Sequence, residues 1–454
     1  MKKAYPTYKE TDLPWVSNVP EHWQPIMNKY LFKLKKSEVG DKSGDFALLS
    51  LTLRGVIKRD MDNPKGKFPA EFNTYQKVRR GDLIFCLFDI EETPRTVGIS
   101  PYDGMITGAY TVFESKPNLL NTFACYYYLF LDKKKSLSCF YRGLRKTISK
   151  ETFSAIKLPL PTLPEQRQIA AYLDHKCALI DTFIAKKKRL IELLQEQKQA
   201  IINQAVTRGI DPDVPLKPSG VDWLGDIPAH WEVIQLRRLV NNMEQGWSPQ
   251  CENRIATTRE WAVMKVGCVN GSQFNPDEHK ALPANLEPRL EYELKEGDVL
   301  ISRANTRELV GSTSIVKSVR PKLLLCDKLY RLNIKKSIDR NFLVHSLRSH
   351  SSRIQIGAVA TGASDTMQNI SQGKVLSIWI GLPKLDEQVD IFNLIEKELK
   401  LSNQAILKIQ KELTLIQEYK TTLIAEAVTG KIDVRNWKAE QENYTGSPQK
   451  QEVL

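Results

Sequence analysis

Across its 454 residues the sequence has no run of 18 consecutive apolar residues, which argues against a membrane-spanning helix. Its seven cysteines are scattered. None forms a CxxC pair and no histidine cluster accompanies them, so free buried thiols are expected, not a disulfide framework or a structural zinc site. The opening MKKAYPTYKETDLPW has two lysines but no apolar run after them, so no secretory signal is expected and the cytoplasm is the expected location. Catalytic signatures are missing as well: there is no GxxxxGK[ST] phosphate loop, no GxGxxG after a strand, no HExxH and no GxSxG. The Asn-Pro-Pro-aromatic signature of amino-methyltransferases has its nearest approach at Asp62-Asn63-Pro64-Lys65, which lacks the second proline and the ring. Glu293-Leu294-Lys295 and Glu398-Leu399-Lys400 share nuclease-like E-x-K spacing, but without an upstream proline-aspartate they read as surface charge. A non-catalytic chain is expected.

What is present is charge of one sign in particular places. The formal net charge is +13. Residues 1–162 hold 26 basic and 17 acidic side chains and residues 212–384 hold 23 and 18, a surplus of +9 and +5. Residues 163–211 carry only +2 and residues 385–454 carry −3. Basic blocks suit a polyanion such as nucleic acid, although charge by itself is weak evidence.

The strongest signal is self-similarity. Trp15-(x4)-Pro20-Glu21-His22-Trp23 recurs as Trp223-(x4)-Pro228-Ala229-His230-Trp231. Gly81-Asp82 recurs as Gly297-Asp298, and Leu160-Pro161-Thr162-Leu163-Pro164-Glu165-Gln166 as Leu382-Pro383-Lys384-Leu385-Asp386-Glu387-Gln388. The order is kept while the offset grows from 208 to 216 to 222, as a duplication with small insertions in the second copy requires. The repeat is too long for a solenoid, so one large unit is used twice. His22 and His230 belong to this framework and read as packing residues, not general bases.

Each copy ends in a stretch with the marks of a long helix. After Pro164 no proline or glycine occurs before Gly209. Leu173, Ile180, Leu194 and Ile201, with Lys187 between, and Cys177, Ile184, Ile191, Lys198 and Ala205 supply two heptad seams. Ile395, Ser402, Ile409, Ile416 and Leu423, with Leu399, Ile406, Leu413, Lys420 and Ala427, do the same in the second copy. At 1.5 Å per residue, 45 residues span roughly 66 Å. The blocks ahead of the helices read as mixed α/β, with short strands such as 83–88, 107–113, 299–302 and 328–332. GIDPDVPLKPSG at 209–220, with three prolines, reads as a linker, and the sequence after Val434 as a polar, disordered tail.

The sequence resembles the specificity (S) subunit of type I restriction-modification systems. The resemblance is carried by Trp223-Leu224-Gly225-Asp226-Ile227-Pro228-Ala229-His230-Trp231 and Leu163-Pro164-Glu165-Gln166-Arg167, and the order of parts extends it over essentially the whole chain. Asp386 stands where the first copy has Pro164, a departure that touches only a helix start. The resemblance implies an α+β fold: two mixed α/β target recognition domains separated by two long helices that form an antiparallel coiled coil, with a pseudo-twofold internal repeat. The parts would be domain 1 at 1–160, a first spacer helix at 161–210, a linker at 211–221, domain 2 at 222–382, a second spacer helix at 383–430 and the tail at 431–454. It further implies that each domain reads one half of a bipartite, asymmetric double-stranded DNA site and that the helices set the spacing. Two modification subunits would dock on this chain to methylate adenine N6, and restriction subunits would cleave unmodified DNA. No cofactor would be bound by this chain; S-adenosylmethionine, ATP and magnesium would belong to the partner subunits. The alternative is a coiled-coil DNA- or protein-binding adaptor outside a restriction system.

Candidate DNA contacts follow residue type: cations for phosphates, arginines and amides for base edges. In the first block these are Arg54, Lys58, Arg59, Arg79, Arg80, Arg142, Arg145 and Lys146; in the second, Arg303, Asn305, Arg307, Arg353, Thr361, Ser364, Gln368 and Asn369. The small-residue loop 361–371 aligns at offset 222 with 142–149, and both loops are expected to face DNA while also leading into a following helix.

Overall fold

The computed structural model describes residues 3–61, 71–93, 95–271, 273–364 and 367–439. The Asp62–Lys65 stretch therefore lies outside the described residues. The chain forms two compact units, the first made of residues 1–187 and 410–454, the second of residues 188–409. The helices that organise them are α1 (Asn121–Lys133), α2 (Leu163–Arg208), α3 (Arg340–Arg348) and α4 (Leu385–Val428). No helix among the described residues is long and apolar enough to cross a membrane.

The first unit is built on an antiparallel four-stranded sheet. Its strands are β1 (Phe32–Lys35), β2 (Leu83–Phe85), β3 (Val97–Ile99) and β4 (Thr111–Ser115), in the order β1-β4-β2-β3. The Gly81-Asp82 turn feeds β2: Gly81 takes φ +93°, and Asp82 accepts from the Arg79 amide and pairs with Lys35 at 2.6 Å. Strand Gln24–Met27 pairs with Lys157–Leu160 just before α2. The core gathers Trp23, Phe32, Phe85, Phe113, Phe123, Tyr128 and Phe153, with Leu423, Ala427 and Val428 from the end of α4.

The second unit repeats this plan. Its sheet contains β5 (Val240–Gln245), β6 (Val299–Ser302), β7 (Thr313–Ile315) and β8 (Leu329–Ile334) in the order β5-β8-β6-β7, again antiparallel. Gly297-Asp298 makes the matching turn, with Asp298 on Arg331 at 3.3 Å. Strand Glu232–Gln235 pairs with Trp379–Leu382 just before α4. An additional layer, strands Ala262–Met264, His279–Ala281 and Leu323–Leu324, has a core of its own around Leu300 and Leu325.

The repeated motifs have a common structural cause. Glu165 at the start of α2 accepts from the Trp23 indole N–H at 3.0 Å and the Tyr5 hydroxyl at 2.6 Å, and bonds His22 Nε2 at 2.9 Å. In the second unit Glu387 accepts from the Trp231 indole at 2.9 Å and bonds His230 at 2.8 Å. The adjacent glutamine ties off backbone groups. Gln166 donates to the Pro161 and Asn118 carbonyls and accepts from the Leu120 amide at the start of α1. Gln388 does the same with Pro383, Ser337 and Asp339 at the start of α3. Both tryptophans are fully buried, and each such ring is worth about 3–5 kcal/mol against alanine.

Within each unit the two long helices run antiparallel. In the first, Asp181 pairs with Lys420 at 2.6 Å and Lys187 with Glu412 at 2.7 Å. In the second, Lys198 donates to Asn403 at 2.6 Å, while Ile202 and Ala205 share a core with Ile391 and Ile395. The heptad lysines thus sit in the seam and take polar partners there.

The stretch 431–439, expected as part of a disordered tail, is packed instead. Ile432 and Val434 are buried in the first unit's core, and the Trp437 ring lies edge-on to Tyr172 at 5.3 Å. The Asp433 amide donates to the Lys3 carbonyl at 2.7 Å. A few apolar or aromatic side chains set among polar neighbours make no periodic signal, which is why composition misled. Gly430 permits this return: its φ is +72°, and a Cβ there would collide with Pro20.

Candidate nucleic-acid interface

At one end of the first unit's sheet the connection 86–96 between β2 and β3 touches two turns. The Arg142–Thr147 turn is a tight hairpin closed by both backbone bonds between those residues at 3.0 Å, with Gly143 and Lys146 at positive φ. It is fastened to the connection: Ile148 N–H donates to Leu87, Asp89 N–H to the Arg145 carbonyl, and the Arg145 guanidinium grips Asp89 at 2.7 and 3.3 Å while lying over the Phe88 ring. That grip holds the Asp89 carboxyl below the ordinary carboxylate range. Lys146 approaches Glu91 at 3.6 Å. The second turn joins strands Leu49–Thr52 and Gly55–Lys58 and presents Leu53 and Arg54; Arg95 of the connection donates to the Leu53 carbonyl at 3.1 Å. Arg54, Arg142, Arg145 and Lys146 are therefore gathered at this end.

The other sequence candidates lie at the far end of β2. Arg79 and Arg80 occupy the turn before it, where the Arg80 amide donates to Asp103. Lys58 covers the Tyr102 ring at 4.9 Å, and the Arg59 amide donates to Leu48. A strand length separates the two groups, which the linear order did not reveal.

The second unit has the same extension in an amide-rich version. The hairpin of β10 (Thr361–Ser364) and β11 (Met367–Asn369) pairs with β9 (Ala304–Asn305), the strand after β6, in the order β9-β11-β10, with Ile370 N–H donating to the Arg303 carbonyl. Thr361, Gln368, Asn369 and Asn305 meet on it: Ala304 pairs with Asn369 and Asn305 with Gln368. Ser364 lies in β10, and the Asp365–Thr366 part of the expected loop lies outside the described residues. Asn305 donates to the side chain of Asn270 at 2.8 Å. Arg307 is exposed on the connection after β9. Arg353 reaches that connection from below and donates to the Val310 and Glu308 carbonyls, so its guanidinium clamps the loop.

Beside this hairpin is a cleft of about 1090 Å³, wholly within the second unit, lined among others by Lys198, Asn270, Lys317, Arg348 and Lys400. Arg348 donates to Thr313 and Gly271, and burial pulls its pKa down to about 10.

Residues 88–195 match the family model described as the type I restriction modification DNA specificity domain. The chain is 29% identical over 222 residues to the EcoEI specificity subunit of Escherichia coli, a match covering 48% of this chain and 37% of that protein. It is 27% identical over 343 residues to the MjaVIII specificity subunit of Methanocaldococcus jannaschii, covering 73% of this chain and 75% of that one. The chain is thus similar to specificity subunits of type I restriction-modification systems. A solved structure described as the structural basis of complex assembly and conformational transition of the type I R-M system has the same fold. Its TM-score is 0.66 at 16% identity, covering 91% of this chain and 99% of that one. The matched segment spans little more than a third of the first relative's length.

Reading the sequence for cations and amides did not point to Asn270, Leu53 or Leu144, which the fold places beside those candidates. Asn270 sits in an irregular loop far from its partner in sequence. The leucines looked like core residues, yet Leu53 is 67% exposed and Leu144 fully so.

Proposed function

We propose that this chain is a specificity subunit and reads double-stranded DNA at a bipartite, asymmetric site, each unit contacting one half. The supporting observation is that one hairpin extension recurs at the same place on both sheets. It carries Arg142 in one unit and Asn305, Gln368 and Asn369 in the other. Cations position a duplex through its phosphates and amides distinguish base edges, so the two versions suit different half-sites. The long helices set the distance between the halves. Leu179, Phe183 and Leu415 in the first unit, and Leu190, Leu193 and Leu401 in the second, leave apolar side chains exposed on them. Two modification subunits dock there and methylate adenine N6, and restriction subunits join to cleave unmodified DNA in the cytoplasm. S-adenosylmethionine, ATP and magnesium act on those partners, and this chain binds no cofactor.

The test is footprinting of the assembled complex on a duplex whose target comes from mapping methylated adenines in the host genome. Two protected segments with an open interval are expected. Affinity should fall by about 10³ or more between 50 and 200 mM salt if some 6–10 phosphates are contacted. One continuous footprint, or binding indifferent to salt, overturns the reading.

A further inference from the structure

Leu144 is 101% exposed at the tip of the Arg142–Thr147 hairpin, as accessible as a side chain can be. Single exposed leucines are ordinary, but this one stands on an unusually rigid base. Two backbone bonds close the hairpin, two positive-φ residues shape it, and a bidentate arginine–aspartate pair holds it to the β2–β3 connection. The same connection holds the second exposed leucine, Leu53, through Arg95. Each leucine has a cation next to it: Arg54 follows Leu53, and Arg142 precedes Leu144 at the hairpin base. Neither Arg54 nor Arg142 has a side-chain partner among the described residues. In the second unit the hairpin before Ile370-Ser371, equivalent to Ile148-Ser149, carries Met367, itself 48% exposed. An aliphatic tip with cationic shoulders matches side chains that unstack a base step, with phosphates held on either side.

We propose that Leu144 is an apolar wedge that enters the duplex at the half-site of the first unit and partly unstacks one base step, with Leu53 lying against the groove beside it. The proposal rests on the DNA-reading function above. It gives the first unit a means of deforming its half-site, and an unstacked step lowers the cost of extruding a neighbouring base for chemistry by a partner subunit. Asp89 and Arg145 act as positioning residues that keep the tip rigid.

The experiment uses the full chain assembled with its modification subunits and the mapped target duplex, with 2-aminopurine placed in turn at each purine of both half-sites. Wild type should raise the fluorescence at one step of one half-site by roughly fivefold, as unstacking requires. Leu144→Ala should return it to the level of free duplex and weaken binding about tenfold, with the other half-site unchanged. Leu144→Met should restore most of the signal, since an unbranched apolar side chain can still wedge. Unchanged fluorescence and affinity in Leu144→Ala would overturn the proposal. So would loss of the modification subunits on size-exclusion chromatography, which would make Leu144 a protein contact. Wild type that binds with no fluorescent step refutes the wedge and leaves recognition standing. A complex that does not retain the duplex refutes recognition itself.

Discussion

Glu165 shows how one side chain can govern a unit. It is almost completely buried and serves Trp23, Tyr5 and His22 together, while Glu387 serves two partners and is more exposed. Glu165→Ala strands a buried indole N–H and a hydroxyl, so it should destabilise the first unit by about 3 kcal/mol or more, measured by chemical denaturation. Glu387→Ala should cost less, and Glu165→Gln, which keeps an acceptor oxygen, should fall between wild type and Glu165→Ala. The thiols predict a pH dependence. Burial pushes Cys125 up to about 11 and Cys326 up to about 12, which favours the neutral thiol in the folded state. Their contribution is fully present below the ordinary thiol value of about 8.5 and is lost as pH rises through the folded values. The melting temperature should therefore fall between roughly pH 8.5 and 11. At pH 7.5 iodoacetamide should modify exposed Cys139 well before buried Cys125, Cys268 and Cys326. Equal alkylation rates would contradict that burial.

At the scale of elements, the long helices were legible because heptad spacing, lack of glycine and lack of proline all agree over more than 40 residues. The seam positions Leu173, Ile180, Ile395, Ile409 and Leu423 are indeed buried. Leu423→Ala removes a fully buried side chain from the first unit's core and should cost about 2–5 kcal/mol. Hydrogen exchange should show the loss in α1 and α2 residues 163–187, which share that core, and much less in β6 and β8. The short strands were harder to place, since three-residue strands such as β2 and β3 are too brief to alternate and are recognised by their partners. The 431–439 return was hidden for a related reason: its few apolar residues gain meaning only from the surface they meet.

At the scale of the whole molecule, the duplication means that one plan is used twice with different side chains on its hairpins, and the proposed reading of two half-sites can be tested one unit at a time. Arg54→Ala combined with Arg142→Ala should reduce protection of one half-site only and lower the salt slope of binding by about 2, one for each phosphate left without its cation. Weakened protection of both halves alike would show that the two units do not read separately. Removing residues 431–454 should lower the stability of the first unit, because Ile432, Val434 and Trp437 leave its core and its surface. A circular dichroism melt unchanged by that truncation would contradict the packing.

The duplication, the two long helices, the Gly-Asp turns and the surplus of positive charge over the two blocks follow from the sequence alone, because each depends on residue identity or on spacing within a few turns of chain. Three things were decided only by the tertiary structure. Each unit takes the start of one long helix and the end of the other, through pairs such as Asp181 with Lys420, 239 residues apart. The cations of the first block divide between opposite ends of β2. Two leucines are turned outward onto rigid tips. Periodicity specifies which face of an element is apolar, but which distant segment covers that face depends on closing the chain over hundreds of residues, and no local pattern encodes that choice.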